Sequence, residues 1–249
     1  MSARGFIGAG DLYIARYSAG AWGGLHGPYE ATKFEIKPNS DLKEMTSRGR
    51  STYGQIIESV PIPKPAELSV ELAEVNKESL AIALFGTAAA LTQSAGTWSS
   101  AITVETKNDE WAVLPKAKVS ALVVKDSTAT TTYVLGTDYI VNAEMGWIKT
   151  LATGTIGATA SLKVTGTFDT VSGTSIAGMT STQVRVRMVF DGKNFADDLP
   201  VIVTIHEAVL SADQAFDFLK SDFNNVGMKG RMKTPSGYAE PFTVALRDA

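Results

Sequence analysis

Apolar and polar residues alternate along much of the chain, a pattern typical of strands with one buried face. It is clearest in ATKFEIKP (31–38), AELSVELAEV (66–75) and TQVRVRMVF (182–190). The run PVIVTIHEAVL (200–210) is apolar on both faces and is expected to lie deeper, while PFTVALRD (241–248) predicts a last strand. The pattern therefore predicts a mainly β protein.

Two segments with capping signals predict short helices. Asn76 can cap NKESLAIALFG (76–86), with an apolar stripe of Leu80, Ala83 and Leu84 and a stop at Gly86. In SADQAFDFLKSD (211–222) the signals are a Ser211/Gln214 capping box, the acidic residues Asp213 and Asp217, and a stripe of Phe216, Leu219 and Phe223. The expected fold class is thus α+β, mainly β with one or two short helices that cover a sheet.

The middle of the chain has a different texture. Residues 98–170 are rich in Thr, Ala, Gly and Ser, and turn signals separate short strands at close intervals, as in a small β-sandwich. The flanks LTQSAGTWSS (91–100) and TVSGTSIAGMTS (170–181) have the composition of linkers. We therefore expect a discontinuous core, 1–97 and 171–249, interrupted by an inserted module at 98–170.

Composition excludes several classes of function. The 249 residues carry a net charge of −3, which argues against tight nucleic-acid binding, and they include no Cys, so disulfides, thiolate zinc sites and cysteine nucleophiles are absent. The start of the chain lacks the apolar region of a signal peptide, and the longest apolar stretch, LAIALFGTAAAL (80–91), is too short to span a bilayer. The chain is expected to be made in a cytoplasm, with no membrane partner.

Catalytic motifs are missing. GAGDLY (8–13) has Tyr13 where a dinucleotide loop needs Gly, and no strand precedes it. His206 and Glu207 are neighbours on a predicted strand, so we expect them on opposite faces and interpret His206 as structural. Asp197 and Asp198 are expected in an exposed turn. We expect neither an enzyme nor a cofactor or metal.

The polar, Gly-punctuated span KPNSDLKEMTSRGRSTYGQIIESVPIPKP (37–65) is too long for an ordinary connection. Within it, the loop 39–57 mixes charges of both signs, which suits contact with another protein chain, and Gly49 and Gly54 would let it bend while free. The charged candidates are Asp41, Lys43, Glu44, Arg48 and Arg50, and the apolar anchors are Met45 and Tyr53. The alternative is a solvated loop without a partner.

The order of these blocks resembles that of major tail (tail tube) proteins of phages with long, non-contractile tails. The resemblance covers most of the chain: GAGDLYIARY, PYEATKFEIKPNSDLKEMTSRGRSTYGQ, IPKPAELSVELAEVNKESLAIALFG, and RVRMVFDGKNFADDLPVIVTIHEAVLSADQAFDFLKSDFNNVGMKGRM. YVLGTDYIVNAEMGWIKT (133–150) is similar to a turn pattern of the immunoglobulin-like modules often inserted in that family, apart from Trp147 directly after Gly146.

The resemblance implies a tail-tube β-sandwich or barrel core with an inserted small immunoglobulin-like β-sandwich. It implies stacked hexameric rings that form a hollow tube in the virion tail, made in a bacterial cytoplasm, through which double-stranded DNA passes without tight binding. Implied partners are further copies of the chain, a tape measure protein, a tail terminator and tail tip or baseplate proteins. The loop would reach the next ring.

A lumen that conducts DNA is expected to be acidic or neutral, because a basic lining would hold phosphates. Glu67, Ser69 and Glu71 share one strand face and are the lining candidates. Arg185 and Arg187 share another strand face and leave the choice open. For both sets the alternative is an ordinary solvated strand face. Two alternatives remain: a surface binding module for glycans or cell-surface proteins, and a hydrolase that uses Asp197, Asp198 and Asp222.

Overall fold

The structure is a computed structural model that describes residues 5–211 and 215–247. It divides into two compact units: a core unit, built from the chain up to Ala88 and from Ile176 onward, and an inserted unit, Ala89–Ser175. The inserted unit thus extends further in both directions than the predicted 98–170. We describe each unit separately.

The described residues are mainly β, as the alternation predicts, with a single helix. In chain order the elements are β1 (Gly8–Ser18), β2 (Ala21–Trp22), β3 (His26–Thr46), β4 (Ile56–Leu72), α1 (Lys77–Ala83), β5 (Thr87–Gln93), β6 (Gly96–Thr97), β7 (Ile102–Lys107), β8 (Trp111–Val113), β9 (Val119–Lys125), β10 (Tyr139–Asn142), β11 (Trp147–Thr150), β12 (Thr159–Phe168), β13 (Val171–Ala177), β14 (Val184–Asn194), β15 (Leu199–Ser211), β16 (Val226–Met232) and β17 (Phe242–Leu246).

The main sheet of the core unit closes on itself. Antiparallel pairings run from β14 through β1, β3, β4, β16 and β15 and return to β14. The second edge of β15 is shared, because β16 pairs with Ala208–Ser211 and β17 with Val201–Ile205. β17 and β2 lie outside the closed ring of strands, since β17 pairs only with β15 and β2 only with β1.

The strand alternation correctly predicted the interior of this sheet. Its core contains the apolar residues of β4 (Leu68, Val70 and Leu72) and of β14 (Val184, Val186 and Met188), all at most 1% exposed. Phe34 of β3 is partly buried and stacks on Phe190 of β14 at 5.3 Å between ring centroids. The polar residues between these positions therefore lie on the outer face of the sheet.

Helix α1 begins at the predicted cap. Asn76 Oδ1 accepts hydrogen bonds from the backbone N–H groups of Glu78 and Ser79, and Ser79 Oγ accepts one from the Asn76 N–H. The predicted apolar stripe was right only in part: Ala83 packs against the core, but the buried helical residues are Ser79, Ala81 and Ile82. Phe85, at φ 52°, is the left-handed residue of the C-terminal cap, and the Gly86 N–H reaches the Ala81 carbonyl.

The second predicted helix is wrong for the residues that the structure describes. Residues 212–214, with Asp213 and Gln214, lie outside those residues; Ser211 ends β15, and 215–225 forms turns and bends. Asp217 accepts a hydrogen bond from the Leu219 N–H, and Asn224 donates to the Asp217 carbonyl, so local side-chain bonds compete with a helical ladder. The segment leaves three large apolar side chains exposed: Phe218, Leu219 and Phe223.

The inserted unit is a small β-sandwich. One sheet has the order β10-β11-β8, the other joins β6, β7 and β9 to β12, and they share a core of residues that includes Val124, Ile148 and Leu162. Asp138, in the quoted turn pattern, accepts hydrogen bonds from the Val134 and Thr155 N–H groups, each at 2.8 Å. The turn is therefore held by one buried carboxylate.

Candidate assembly surface

The span 37–65 is a β-hairpin rather than a loop. Strands β3 and β4 stay paired beyond the closed sheet, through Asn39↔Lys64 as far as Thr46↔Ile56. We call residues 39–64 the arm. At about 3.4 Å per residue, residues 56–64 give it a length of roughly 30 Å. The expected flexible loop was wrong because the alternation in IIESVPIP extends strand β4 outward.

The turn at the tip of the arm is ordered by its own hydrogen bonds. The Ser47 N–H donates to the Gln55 carbonyl at 2.7 Å, and the Gly54 N–H donates to the Ser47 carbonyl at 2.9 Å. The hydroxyl groups of Ser47 and Thr52 lie 2.6 Å apart. Gly54, at φ +83°, takes a conformation that favours glycine, so here glycine fixes the turn.

Large apolar side chains of the arm are exposed to solvent. Between Leu42 and Pro65, Ser47 alone is buried. The exposed large apolar residues are Leu42, Met45, Tyr53, Ile56, Ile57, Val60 and Ile62. An isolated two-stranded ribbon is marginally stable in water, and a cluster of exposed apolar residues marks an interaction site. The arm is therefore the strongest candidate for a contact with another chain.

The structure brings the predicted contact residues together on this arm. Asp41, Lys43, Glu44 and Met45 lie on β3, and Arg48, Arg50 and Tyr53 lie in the turn. The Asp41 carboxylate is 2.8 Å from Lys64 Nζ across the ribbon, so this charge is paired inside the arm. Sequence reasoning named Met45 and Tyr53 but missed the five other apolar residues, although the alternation in β4 was a usable signal.

The lining candidates Glu67, Ser69 and Glu71 lie on the outer face of the closed sheet. Basic residues flank them on both neighbouring strands, Lys33 and Lys37 on β3 and Lys229 and Arg231 on β16. Lys37 Nζ is 3.8 Å from the Glu67 carboxylate. A groove of about 490 Å³ runs between these side chains. The face has mixed charge, which the sequence of one strand cannot reveal.

Arg185 and Arg187 are held by groups of their own chain. Arg185 Nε donates to the Glu207 carboxylate at 2.9 Å, and its guanidinium lies 4.0 Å from the centre of the Tyr17 ring. Arg187 stacks over Trp22 at 4.7 Å. Burial is the largest single influence on the pKa of Glu207 and acts to raise it. The hydrogen bonds and charges of Arg185 and Lys233 together lower the pKa by more, so it lies below its ordinary value.

His206 and Glu207 are both buried, which corrects the expectation of opposite faces. His206 and Glu207 on β15 together lie opposite a single residue of β14, Arg187. This β-bulge interrupts the alternation of side chains. The His206 ring stacks on Tyr238 at 4.0 Å, while Glu207 is 3% exposed beside Arg185. These contacts are those of packing residues.

Within residues 5–211 and 215–247, no group of three or more His, Cys, Asp or Glu side chains is placed to hold a metal ion. Asp197 and Asp198 lie in the turn between β14 and β15, where Asp198 is 2.8 Å from Lys193 Nζ. No helix in the same described residues is long and apolar enough to cross a membrane.

These features define a mainly β protein with a closed antiparallel sheet, a projecting ribbon and an inserted sandwich. Residues 5–234 match the family described as "Protein of unknown function UCP028589", and the chain belongs to that family. No curated protein matches the sequence.

Proposed function

We propose that the chain is a self-assembling structural subunit, the tail tube protein of a phage with a long, non-contractile tail. Copies form stacked rings, hexameric in the resembling family, whose lumen conducts double-stranded DNA into the host. The tape measure protein, the tail terminator and the tail tip or baseplate proteins are its further partners in the virion. No step of catalysis is part of this function.

The arm is the observation that carries the proposal. It holds seven exposed large apolar side chains on a ribbon in which, between Leu42 and Pro65, Ser47 alone is buried among the described residues. Each of these side chains is about half exposed or more, and full burial of such a side chain contributes about 1.5–3 kcal/mol relative to exposure. Docking against another copy removes this apolar surface from water. A contact that joins different surfaces of identical chains repeats into rings or filaments.

Electron microscopy with an arm deletion tests the proposal. Asp41 and Ile62 face each other across the ribbon, so residues 42–61 can be replaced by a two-residue Asn-Gly hairpin turn without changing the register of the sheet. The parent protein is expected to form rings or hollow tubes over a range of concentrations. The deletion variant is expected to form no tubes and at most unstacked rings.

A matched control removes an exposed apolar side chain elsewhere. Leu135 of the inserted unit is 62% exposed, so Leu135→Ser is expected to assemble like the parent. Circular dichroism of each variant checks that it is folded. Tubes of the parent's length from the deletion variant would refute the role of the arm, and a parent that forms no ordered assembly at any concentration would refute the tube function.

A second candidate function is supported by an aromatic surface on the inserted unit. Trp111 is 43% exposed, its ring centre lies 6.3 Å from that of Trp147, and Lys149 Nζ is 5.9 Å from the Trp111 ring. An exposed indole ring beside a partly buried one, with a neighbouring hydrogen-bond donor, suits the apolar face and hydroxyl groups of a sugar. A glycan-binding surface module is therefore the alternative proposal.

Glycan-array binding separates this alternative from the tube. A binding module would retain specific glycan binding in a parent protein that stays monomeric, and Trp111→Ala would abolish it. Leu135→Ser again serves as the control. Absence of binding by the parent would rule the glycan module out.

A further inference from the structure

The two edges of the arm are chemically different. Proline has no N–H group, so Pro61 and Pro63 cannot donate within the ladder that joins β4 to β3. They nevertheless face Leu42 and Ser40 in register, which makes these the pairs whose backbone groups point away from the partner strand. The backbone nitrogen atoms of Pro61 and Pro63 therefore face the outer edge of β4.

Pro61, Pro63 and Pro65 block strand addition along the base half of this edge of β4. From Ile56 to Ala66 this edge has no partner strand in the sheet, because β16 pairs with β4 only from Glu67 to Leu72. Two successive outward donor positions are prolines, and Pro65, which follows, has no N–H group either. Proline on an edge strand is a recognised protection against strand addition.

The opposite edge of the arm is open. Because Leu42 and Ser40 face the two prolines, their N–H and C=O groups point away from β4, and Glu44 follows in the same alternation. β1 pairs with β3 only as far as Glu30, so it leaves this part of β3 uncovered. Residues 40, 42 and 44 are all exposed.

β17 is another strand of this sheet with an open edge among the described residues. β17 pairs with β15 alone, and within Phe242–Leu246 it contains no proline and no charged residue. Val244 and Leu246 are 52% and 48% exposed. β17 thus lacks the usual protections of an edge strand.

We propose that the β3 edge of the arm adds as a strand to β17 of a second copy of this chain. The proposal rests on the self-assembly proposed above and names its backbone contact. Two different edges that pair make a heterologous contact, which is the type that generates rings and filaments, whereas pairing of two β3 edges would stop at a dimer. The arm spans residues 39–64, a size in the range of about 20–30 residues that a stable interface uses on each side.

The matched variants Leu42→Pro and Leu42→Ala test this pairing. Both lack the Leu side chain, but only the proline removes the outward N–H, and neither removes a donor from the β3–β4 ladder. Leu42→Pro is expected to need about tenfold more protein than Leu42→Ala for assembly, the effect of about one lost hydrogen bond per contact. Assembly is measured by sedimentation and electron microscopy.

Disulfide cross-linking gives a second readout that does not depend on the folding of a proline variant. The chain has no Cys, so Leu42→Cys can be combined in turn with Thr243→Cys and Val244→Cys. Cross-linked oligomers are expected from at least one pair, because a disulfide needs the two Cα atoms within about 7 Å. A protein with Leu42→Cys alone should give no ladder of oligomers.

The outcomes distinguish this inference from the proposed function. If the parent assembles, and Leu42→Pro and Leu42→Ala assemble alike without cross-links to β17, the pairing is overturned and the tube function stands. Dimers from Leu42→Cys alone in the assembled material would show pairing of two β3 edges instead, which also overturns it. A parent that never assembles overturns both.

Discussion

The buried carboxylate of Glu207 makes a sharp test of the packing described for the core unit. The Glu207 side chain is 3% exposed and accepts a hydrogen bond from Arg185, while Lys233 Nζ lies at 3.4 Å. The perturbation is Glu207→Gln, which keeps the size and one acceptor oxygen but removes the charge.

The expected magnitude follows from the two partners. A hydrogen bond to a charged group contributes about 1.5–3 kcal/mol, and roughly half of that is the charge-assisted part lost on replacement by Gln. Lys233 is 58% exposed, so its share is small. We expect Glu207→Gln to lower the free energy of unfolding of the core unit by about 1 kcal/mol near pH 7.

The loss is expected to depend on pH. The pKa of Glu207 is lowered in the folded protein, below its ordinary value of 4.5. Its stabilisation is therefore present above that ordinary value and disappears as the pH falls through the lower folded pKa. Parent and variant should become equally stable in acid, because a protonated Glu and a Gln are then similar.

Hydrogen exchange measured by mass spectrometry on peptides from β14 and β15 reports this unit separately from the inserted one. Glu35→Gln is the control, since the Lys33–Glu35 pair has a similar distance of 2.9 Å but lies in solvent, and its loss should leave exchange unchanged. Equal protection of parent and Glu207→Gln near pH 7 would refute the reasoning, as would a difference that does not shrink as the pH falls below the ordinary pKa of 4.5.

Three further substitutions test local features. Asn76→Ala should cost about 1 kcal/mol through the lost cap of α1, measured by urea unfolding of the core unit, and an unchanged midpoint would contradict the cap. Gly146→Ala should cost about 1–2 kcal/mol from its left-handed conformation alone; in addition, its Cβ would come 1.9 Å from the Lys116 carbonyl oxygen, so an unaltered melting curve of the inserted unit would contradict the geometry. Asp138→Ala should lower the melting temperature of the inserted unit, followed by Trp fluorescence, and because hydrogen bonds lower the pKa of Asp138 the difference from the parent should shrink in acid.

The sequence predicted the fold correctly where a local pattern determines the secondary structure. Alternation identified the buried faces of β4 and β14, and Asn76 identified the start of α1. The rules failed where distant contacts or competing local bonds decide. The helical periodicity of Phe216, Leu219 and Phe223 was overridden by side-chain bonds of Asp217, and a bulge at His206 and Glu207 broke the alternation.

The candidate site was predictable in part for similar reasons. The charges and Gly residues of 37–65 indicated an unusual segment. They predicted a loop, because charged residues on β3 interrupt the alternation of apolar and polar positions that identifies a strand. The mixed charge around Glu67 depends on the register of three strands, of which β3 and β16 are distant in sequence. Pairing of distant strands cannot be derived from one strand alone.

The arm has one further consequence, for mechanics. β3 and β4 both run from the packed sheet into the arm, with one bulge between Lys37 and Asn39. An axial pull on the tip therefore loads the hydrogen bonds that hold β3 to β1 and β4 to β16 in shear, many at the same time, and not one after another as in peeling. Tension at a docked tip passes directly into strands anchored by Leu68, Val70 and Leu72. A chain of such contacts would resist stretching while each ribbon can still twist, and stiffness in extension with compliance in bending is what a long, thin assembly requires.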